Sequence, residues 1–321
     1  MQSIEICAGA GGQALGLEQA GFNHIALVEI DENACRTLRY NRPNWNVIEG
    51  DIKVFSAEQY IGIDLLAGGV PCPPFSVAGK QLGHDDERDL FLEAIRLVRE
   101  CDPKAVMLEN VRGLFNTKFV EYRNAIKSDL EEMGYICEWE LVHTHHYGVP
   151  QLRPRTILVA LKKEYHPHFS WPLGAVAPPP TVGQLLYSEM ASGGWEGAKA
   201  WAGQADGIAP TLVGGSKKHG GADLGPTRAR EAWQKFGVDG LGVADAPPPS
   251  GFVGMPKLTV KMAALVQGFP PTWEFTGKKT PAYKQVGNAF PPPVACAVGK
   301  SIYKALKMGE KKISENREKA V

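Results

Sequence analysis

A cysteine set between prolines, Pro71-Cys72-Pro73-Pro74, follows a short apolar run, Asp64-Leu65-Leu66-Ala67, that breaks at Gly68-Gly69. Proline fixes φ at about −65° and removes an N–H, so the loop's shape is largely set before any ligand arrives. Holding a thiol still is how a nucleophile is presented, because a wandering group loses the benefit of positioning. Three carboxylates accompany it. Glu29, Asp51 and Glu109 each follow the end of another apolar run, His24–Val28, Asn46–Glu49 and Ala105–Leu108.

The elements that must position these residues alternate. Residues 3–7 read as a strand, Ala8-Gly9-Ala10-Gly11-Gly12 as a glycine turn, and 13–20 as a helix. Strands at 24–28, 46–49, 64–67, 105–108 and 155–161 are interleaved with helices at 31–40, 89–101 and 119–133. Such alternation predicts an α/β fold with a doubly wound, mostly parallel sheet. In that architecture ligands gather at the carboxyl edge of the strands, where Glu29, Asp51, Cys72 and Glu109 all fall. Gly9, Gly11 and Ala14 fit the G-x-G-x-x-[G/A] fingerprint, with Glu29 placed to take a ribose hydroxyl. This predicts an adenosine-containing ligand and leaves NAD and S-adenosylmethionine both open.

Net charge is zero, 44% of residues are hydrophobic and 22% charged, as in an ordinary soluble globular protein. No run has the roughly 18 apolar residues a membrane span needs. The N-terminus lacks a basic stretch followed by an apolar one, so no signal peptide is expected and a cytoplasmic setting is. The six cysteines include no CxxC pair, which argues for reduced thiols rather than disulfides or a zinc site. His143, His145 and His146 have no acidic or thiol partner nearby in sequence, and no metal is expected.

Residues 172–255 interrupt the alternation with glycine, proline, alanine and tryptophan. Trp195, Trp201, Trp233 and Phe236 are expected to build a small loop-rich core there. Helical patterning resumes at 256–270 and again at 294–306, and 307–321 reads as a charged tail that frays.

Taken in order, the motifs resemble the DNA (cytosine-5) methyltransferase family, bacterial type. They are Cys7-Ala8-Gly9-Ala10-Gly11-Gly12, Val28-Glu29-Ile30, Gly50-Asp51-Ile52, Gly68 to Ser76, Arg88-Asp89-Leu90-Phe91 and Glu109-Asn110-Val111. Gln151-Leu152-Arg153-Pro154-Arg155, Gln267-Gly268-Phe269-Pro270 and Tyr283 to Ala289 complete the series. Three positions depart from the family pattern: Cys7 replaces a phenylalanine, Ile30 a tryptophan, and Pro73 a glutamine.

The resemblance implies an S-adenosylmethionine-dependent methyltransferase with a Rossmann-like catalytic domain at 1–171 and 279–321. A smaller target-recognition domain and hinge would occupy 172–278. It implies that Cys72 adds to C6 of a flipped-out cytosine, with Glu109, Arg153 and Arg155 as the rest of the catalytic set. S-adenosyl-L-methionine, leaving as S-adenosyl-L-homocysteine, would lie against Cys7, Ala8, Gly9, Gly11, Gly12, Glu29, Ile30, Asp51, Ile52, Gly69, Pro71, Leu90, Asn288 and Ala289. Double-stranded DNA would meet Ser76, Lys80, Gln151, Lys217, Lys218, Arg228 and Arg230, and 77–88 would close over it. A monomer is implied, paired in function with a restriction endonuclease. An RNA (tRNA) cytosine-5 enzyme of the same family is the alternative, and an NAD-type oxidoreductase the alternative of another class.

Overall fold

The computed structural model describes residues 1–71, 90–175, 177–214 and 222–319. Cys72, Ser76, Lys80, Lys217, Lys218 and the 77–88 segment lie outside them.

The chain opens with β1 (Gln2–Ile6), α1 (Gly12–Gln19), β2 (Asn23–Glu29), α2 (Glu32–Asn41), β3 (Val47–Glu49), β4 (Leu65–Gly69), α3 (Phe91–Cys101) and β5 (Ala105–Val111). It continues with α4 (Val120–Glu132), β6 (Tyr135–His143), β7 (Gln151–Leu152) and β8 (Pro154–Lys162). Seven strands form one sheet in the order β3-β2-β1-β4-β5-β8-β6. The first five are parallel, and β8 runs antiparallel to both β5 and β6. Ile4 and Ile6 are fully buried and pack on one face with Leu66, Val106 and the apolar side of α3. Leu65, Ala67 and Met107 pack on the other, beneath α1 and the last helix. Burial on both faces explains why these strands read as continuous apolar runs.

The elements after β8 are α5 (Val182–Ala191), α6 (Ala198–Gln204), β9 (Ala209–Pro210), α7 (Thr227–Gln234), α8 (Val260–Val266), α9 (Lys279–Asn288) and α10 (Pro292–Lys319). Trp233 and Trp201 are buried in a second core, with Trp195 and Phe236 packed against it. That core also takes in Leu15 of α1 and Tyr283 and Val286 of α9, so the second unit is joined to the first along a packed seam.

Three elements differ from expectation. β6 is a full strand of nine residues, and its mixed burial belongs to a sheet edge. β5 runs on to Val111, because β8 pairs with it as far as Val111 opposite Arg155. The charged tail does not fray at 307: α10 continues as helix to Lys319. Gly309 packs against Tyr165, and Glu310 pairs with Lys104, which anchors the helix beyond its apolar stretch.

Candidate active site

The turn between β1 and α1 is built for close approach. Gly11 has φ 87°, a left-handed conformation that side chains rarely adopt, and a Cβ there would also lie 2.7 Å from Leu38. A Cβ on Gly12 would lie 2.1 Å from the Phe290 carbonyl oxygen, so α1 sits directly on the junction of α9 and α10. Glu29, at the end of β2, is buried and closes the turn. Its Oε2 accepts the Gly9 N–H at 2.7 Å, and its Oε1 accepts those of Ile30 and Asp31 at 2.9 and 2.8 Å.

Above these strand ends lies a cleft of about 970 Å³. Cys7, Ala8, Gly9, Gly12, Glu29, Ile30, Asp51 and Ile52 line one end, with Asn288 and Ala289 closing a wall. Gly69, Pro71, Leu90, Glu109 and Arg155 line the same cleft, so adenosine-type residues and the buried acid share one space. Gly11 does not line it, since its place is in the turn behind. Ile30 is 67% exposed, offering an apolar surface where the family has tryptophan. The Cys7 thiol's pKa is pushed up to about 12 by burial and by the nearby Glu29, Asp51 and Glu5 carboxylates, which disfavours its thiolate.

Glu5 and Gln13 are among the lining residues that sequence reasoning missed. Glu5 is fully buried in the middle of β1, and Gln13 is 3% exposed in the first turn of α1. The Gln13 side-chain nitrogen and oxygen have no hydrogen-bond partner, and the Glu5 carboxyl has only the Ala14 backbone beside it, although both side chains line the cleft. Buried polar groups without partners are costly and call for an explanation. A polar ligand end bearing both charges would satisfy them. The signal was an acid inside an otherwise apolar strand, Ser3-Ile4-Glu5-Ile6.

At the other end of the cleft, Glu109 on β5 faces Arg155 on β8. Arg155 is registered opposite Val111, which puts Glu109 at the diagonal same-face position. Its Nε lies 2.9 Å from Glu109 Oε1. Burial raises the Glu109 carboxyl above its ordinary range, opposed by the charges of Arg155 and Arg153. Asn110 ties β5 to the segment that carries the cysteine: its Nδ2 donates to the Val70 carbonyl at 2.7 Å, and its Oδ1 accepts the Val111 N–H. The described chain then reaches Pro71 on the cleft wall, one residue before Cys72.

Two expectations need correction. Gln151, expected at the DNA surface, does not reach the surface: it is fully buried, and its amide is spent on the Leu212 N–H, the Gln267 side chain and the Val266 carbonyl. Arg153 does not line the cleft or pair with Glu109. Its guanidinium, 1% exposed, donates to the carbonyls of Leu212, Gly287 and Ala289. Arg228 is exposed on α7, and Arg230, partly exposed on the same helix, donates to the Thr227 hydroxyl. The His143, His145 and His146 rings cluster with centroids 4.3–5.9 Å apart. Among the described residues no group of histidine, cysteine and acidic side chains could hold a metal ion.

The family model for C-5 cytosine-specific DNA methylases matches residues 1–218 and 245–304. The chain belongs to that family. It is an S-adenosylmethionine-dependent DNA (cytosine-5) methyltransferase, and the NAD and RNA readings are not favoured. The chain is 58% identical over 307 residues to the type II methyltransferase M.NgoMIV of Neisseria gonorrhoeae, covering 95% of this chain and 98% of the relative. It is 56% identical over 327 residues to M.NaeI of Lentzea aerocolonigenes, covering 100% of this chain and 78% of the relative. Among solved structures, a putative DNA modification methyltransferase encoded within an E. coli prophage superposes with a TM-score of 0.68 at 23% identity. It covers 96% of this chain and 99% of its own, and at that identity the likeness concerns the fold. No helix among the described residues is long and apolar enough to cross a membrane.

Proposed function

We propose that this DNA methylase binds S-adenosylmethionine in the 970 Å³ cleft and acts there on a cytosine turned out of the duplex. One observation carries the reading: a buried glutamate with a raised pKa shares a single cleft with the glycine turn and Glu29. Glu29 and Asp51 would hold the ribose and adenine side, Ile30 would cover the ring, and Glu5 and Gln13 would meet the amino-acid end. Bound there, the cofactor supplies an electrophilic methyl group.

The chain's own residues supply the activation. Cytosine C5 is a poor nucleophile until a thiolate adds at C6. The Cys72 Sγ–C6 bond forms while the C5–C6 π pair shifts into the ring, and Glu109 gives a proton to N3 to neutralise the charge. A free thiol of pKa ~8.5 is only a few per cent ionised at pH 7, so the loop must favour the thiolate. After methylation N3 returns its proton to Glu109, and water takes the C5 proton, whose electron pair re-forms the C5–C6 double bond. The C6–S bond breaks with its pair returning to the Cys72 sulfur. Arg155 orients Glu109 throughout. The base must leave the stack for any of this, at a cost of a few kcal/mol.

Residues 172–278 are assigned to target recognition and hinge. Supporting this, the family match omits 219–244 while the flanking parts match, as expected of a segment that varies with target. Arg228 and Arg230 are offered as DNA contacts, together with Ser76, Lys80, Lys217 and Lys218. The relatives' designation as type II methyltransferases supports a role beside a restriction endonuclease, and a cytoplasmic monomer is proposed with it. Duplex DNA carrying 5-fluorocytosine tests the chemistry, because fluorine at C5 blocks the final elimination. A denaturation-resistant adduct mapped to Cys72 is expected, and an adduct through another cysteine would overturn the assignment.

A further inference from the structure

Gln151, Arg153 and Arg155 alternate along the passage from β7 to β8, where the Arg153 N–H turns back to the Gln151 carbonyl at 3.0 Å. All three are buried, while Leu152 between them is 47% exposed. Each grips a different part of the molecule. Arg155 holds Glu109. Arg153 holds the end of α9, through the carbonyls of Gly287 at 2.7 Å and Ala289 at 3.2 Å, and the segment after β9, through that of Leu212 at 2.5 Å. Gln151 takes the other backbone group of the same residue, accepting the Leu212 N–H at 2.8 Å. Its Nε2 donates to Gln267 Oε1 at 2.6 Å, and Gln267 in turn donates to the Ala289 carbonyl.

The hydrogen bonds therefore close a ring running Leu212, Gln151, Gln267, Ala289, Arg153 and back to Leu212. The backbones are correspondingly close. A Cβ on Gly287 would lie 2.6 Å from Gly214 Cα, and one on Gly214 would lie 2.1 Å from Asn288 Oδ1. Asn288 and Ala289 also line the cleft. A buried guanidinium with no acid in contact depends on its carbonyl acceptors, and losing one leaves a charge without compensation. Leu212 cannot move alone, nor can the 287–289 wall.

We propose that Arg153 and Gln151 are positioning residues that join the seating of segment 209–214 to the shape of the cofactor wall at 287–289. This rests on the reading of the cleft as the cofactor site and of 172–278 as the recognition region. The ring holds both segments in one arrangement, so DNA that seats 209–214 tightens cofactor binding, and by reciprocity bound cofactor tightens DNA.

The test measures the Kd of S-adenosylhomocysteine by calorimetry, with and without saturating duplex carrying the methylated sequence mapped by bisulfite sequencing. Wild-type protein should bind about 10-fold more tightly with that duplex, within the usual range for coupled sites, and show no gain with a scrambled duplex. In Arg153→Lys, whose ammonium cannot span three carbonyls, the ratio should fall to about 2 or less, on the same coupling scale. Should that variant not fold by circular dichroism, Gln151→Glu carries the test, because it keeps the acceptor for Leu212 and loses the donor to Gln267. A wild-type ratio near one, or a folded variant with the wild-type ratio, overturns the proposal. Failure of wild-type protein to bind S-adenosylhomocysteine at all would instead overturn the reading of the cleft.

Discussion

Arg155 Nε lies 2.9 Å from Glu109 Oε1, and each side chain is only 11% exposed. The pair sets two opposing effects on one carboxyl. Burial disfavours its charge, and the guanidinium favours it. Burial is the larger, so Glu109 keeps its proton to higher pH than an exposed glutamate. An acid that must donate to a ring nitrogen near neutral pH needs that balance.

Glu109→Gln retains a hydrogen-bond donor and loses the transferable proton. Its single-turnover methylation rate should fall by about 10²–10⁴, the usual worth of a positioned acid. Cofactor affinity should change little. Rapid-quench assays with labelled methyl, beside calorimetry, separate the two; a near-native rate would move the acid role elsewhere.

The pH profile has a predicted sign. The rate should fall on the alkaline side as Glu109 gives up its proton. Arg155 lowers that pKa, so Arg155→Gln leaves burial less opposed, and the alkaline limb should move to higher pH even as the maximum drops. A limb that stays put or moves down would show that another group titrates.

Glu5 gives a stability prediction. Its pKa is raised well above 4.5 by burial. Between its unfolded and folded pKa values the folded chain binds more protons than the unfolded one, so stability falls as pH rises through that window. Glutamine does not titrate. Thermal melts of cofactor-free Glu5→Gln should therefore gain on wild type steadily above about pH 4.5, and the variant should bind S-adenosylmethionine more weakly. Parallel melting curves across pH would contradict an ionisable buried Glu5.

The sheet and its ligand edge were legible in the sequence because strands buried on both faces are continuous apolar runs, and glycine clusters mark the turns between them. β6 was not, because an edge strand mixes Glu138 and Glu140 with Tyr135 and Cys137 and so lacks a clear period. The end of α10 was hidden by its charges, since what holds it, Tyr165 and Lys104, is far away in sequence. Gln151 and Arg153 show the harder limit. Their types suit DNA or substrate equally with backbone carbonyls, and only tertiary packing decides which one a buried amide or guanidinium meets. Glu5 was passed over for a related reason: an acid within a strand reads as part of the strand until its empty hydrogen-bonding positions are seen.

The most direct test incubates purified protein with duplex DNA and S-adenosylmethionine bearing a deuterated methyl, then digests the DNA and weighs the nucleosides. The account predicts the label in 5-methyldeoxycytidine, from wild-type protein and not from Cys72→Ser. Label in N4-methyldeoxycytidine or N6-methyldeoxyadenosine, or label accepted by tRNA and not by duplex DNA, would contradict it.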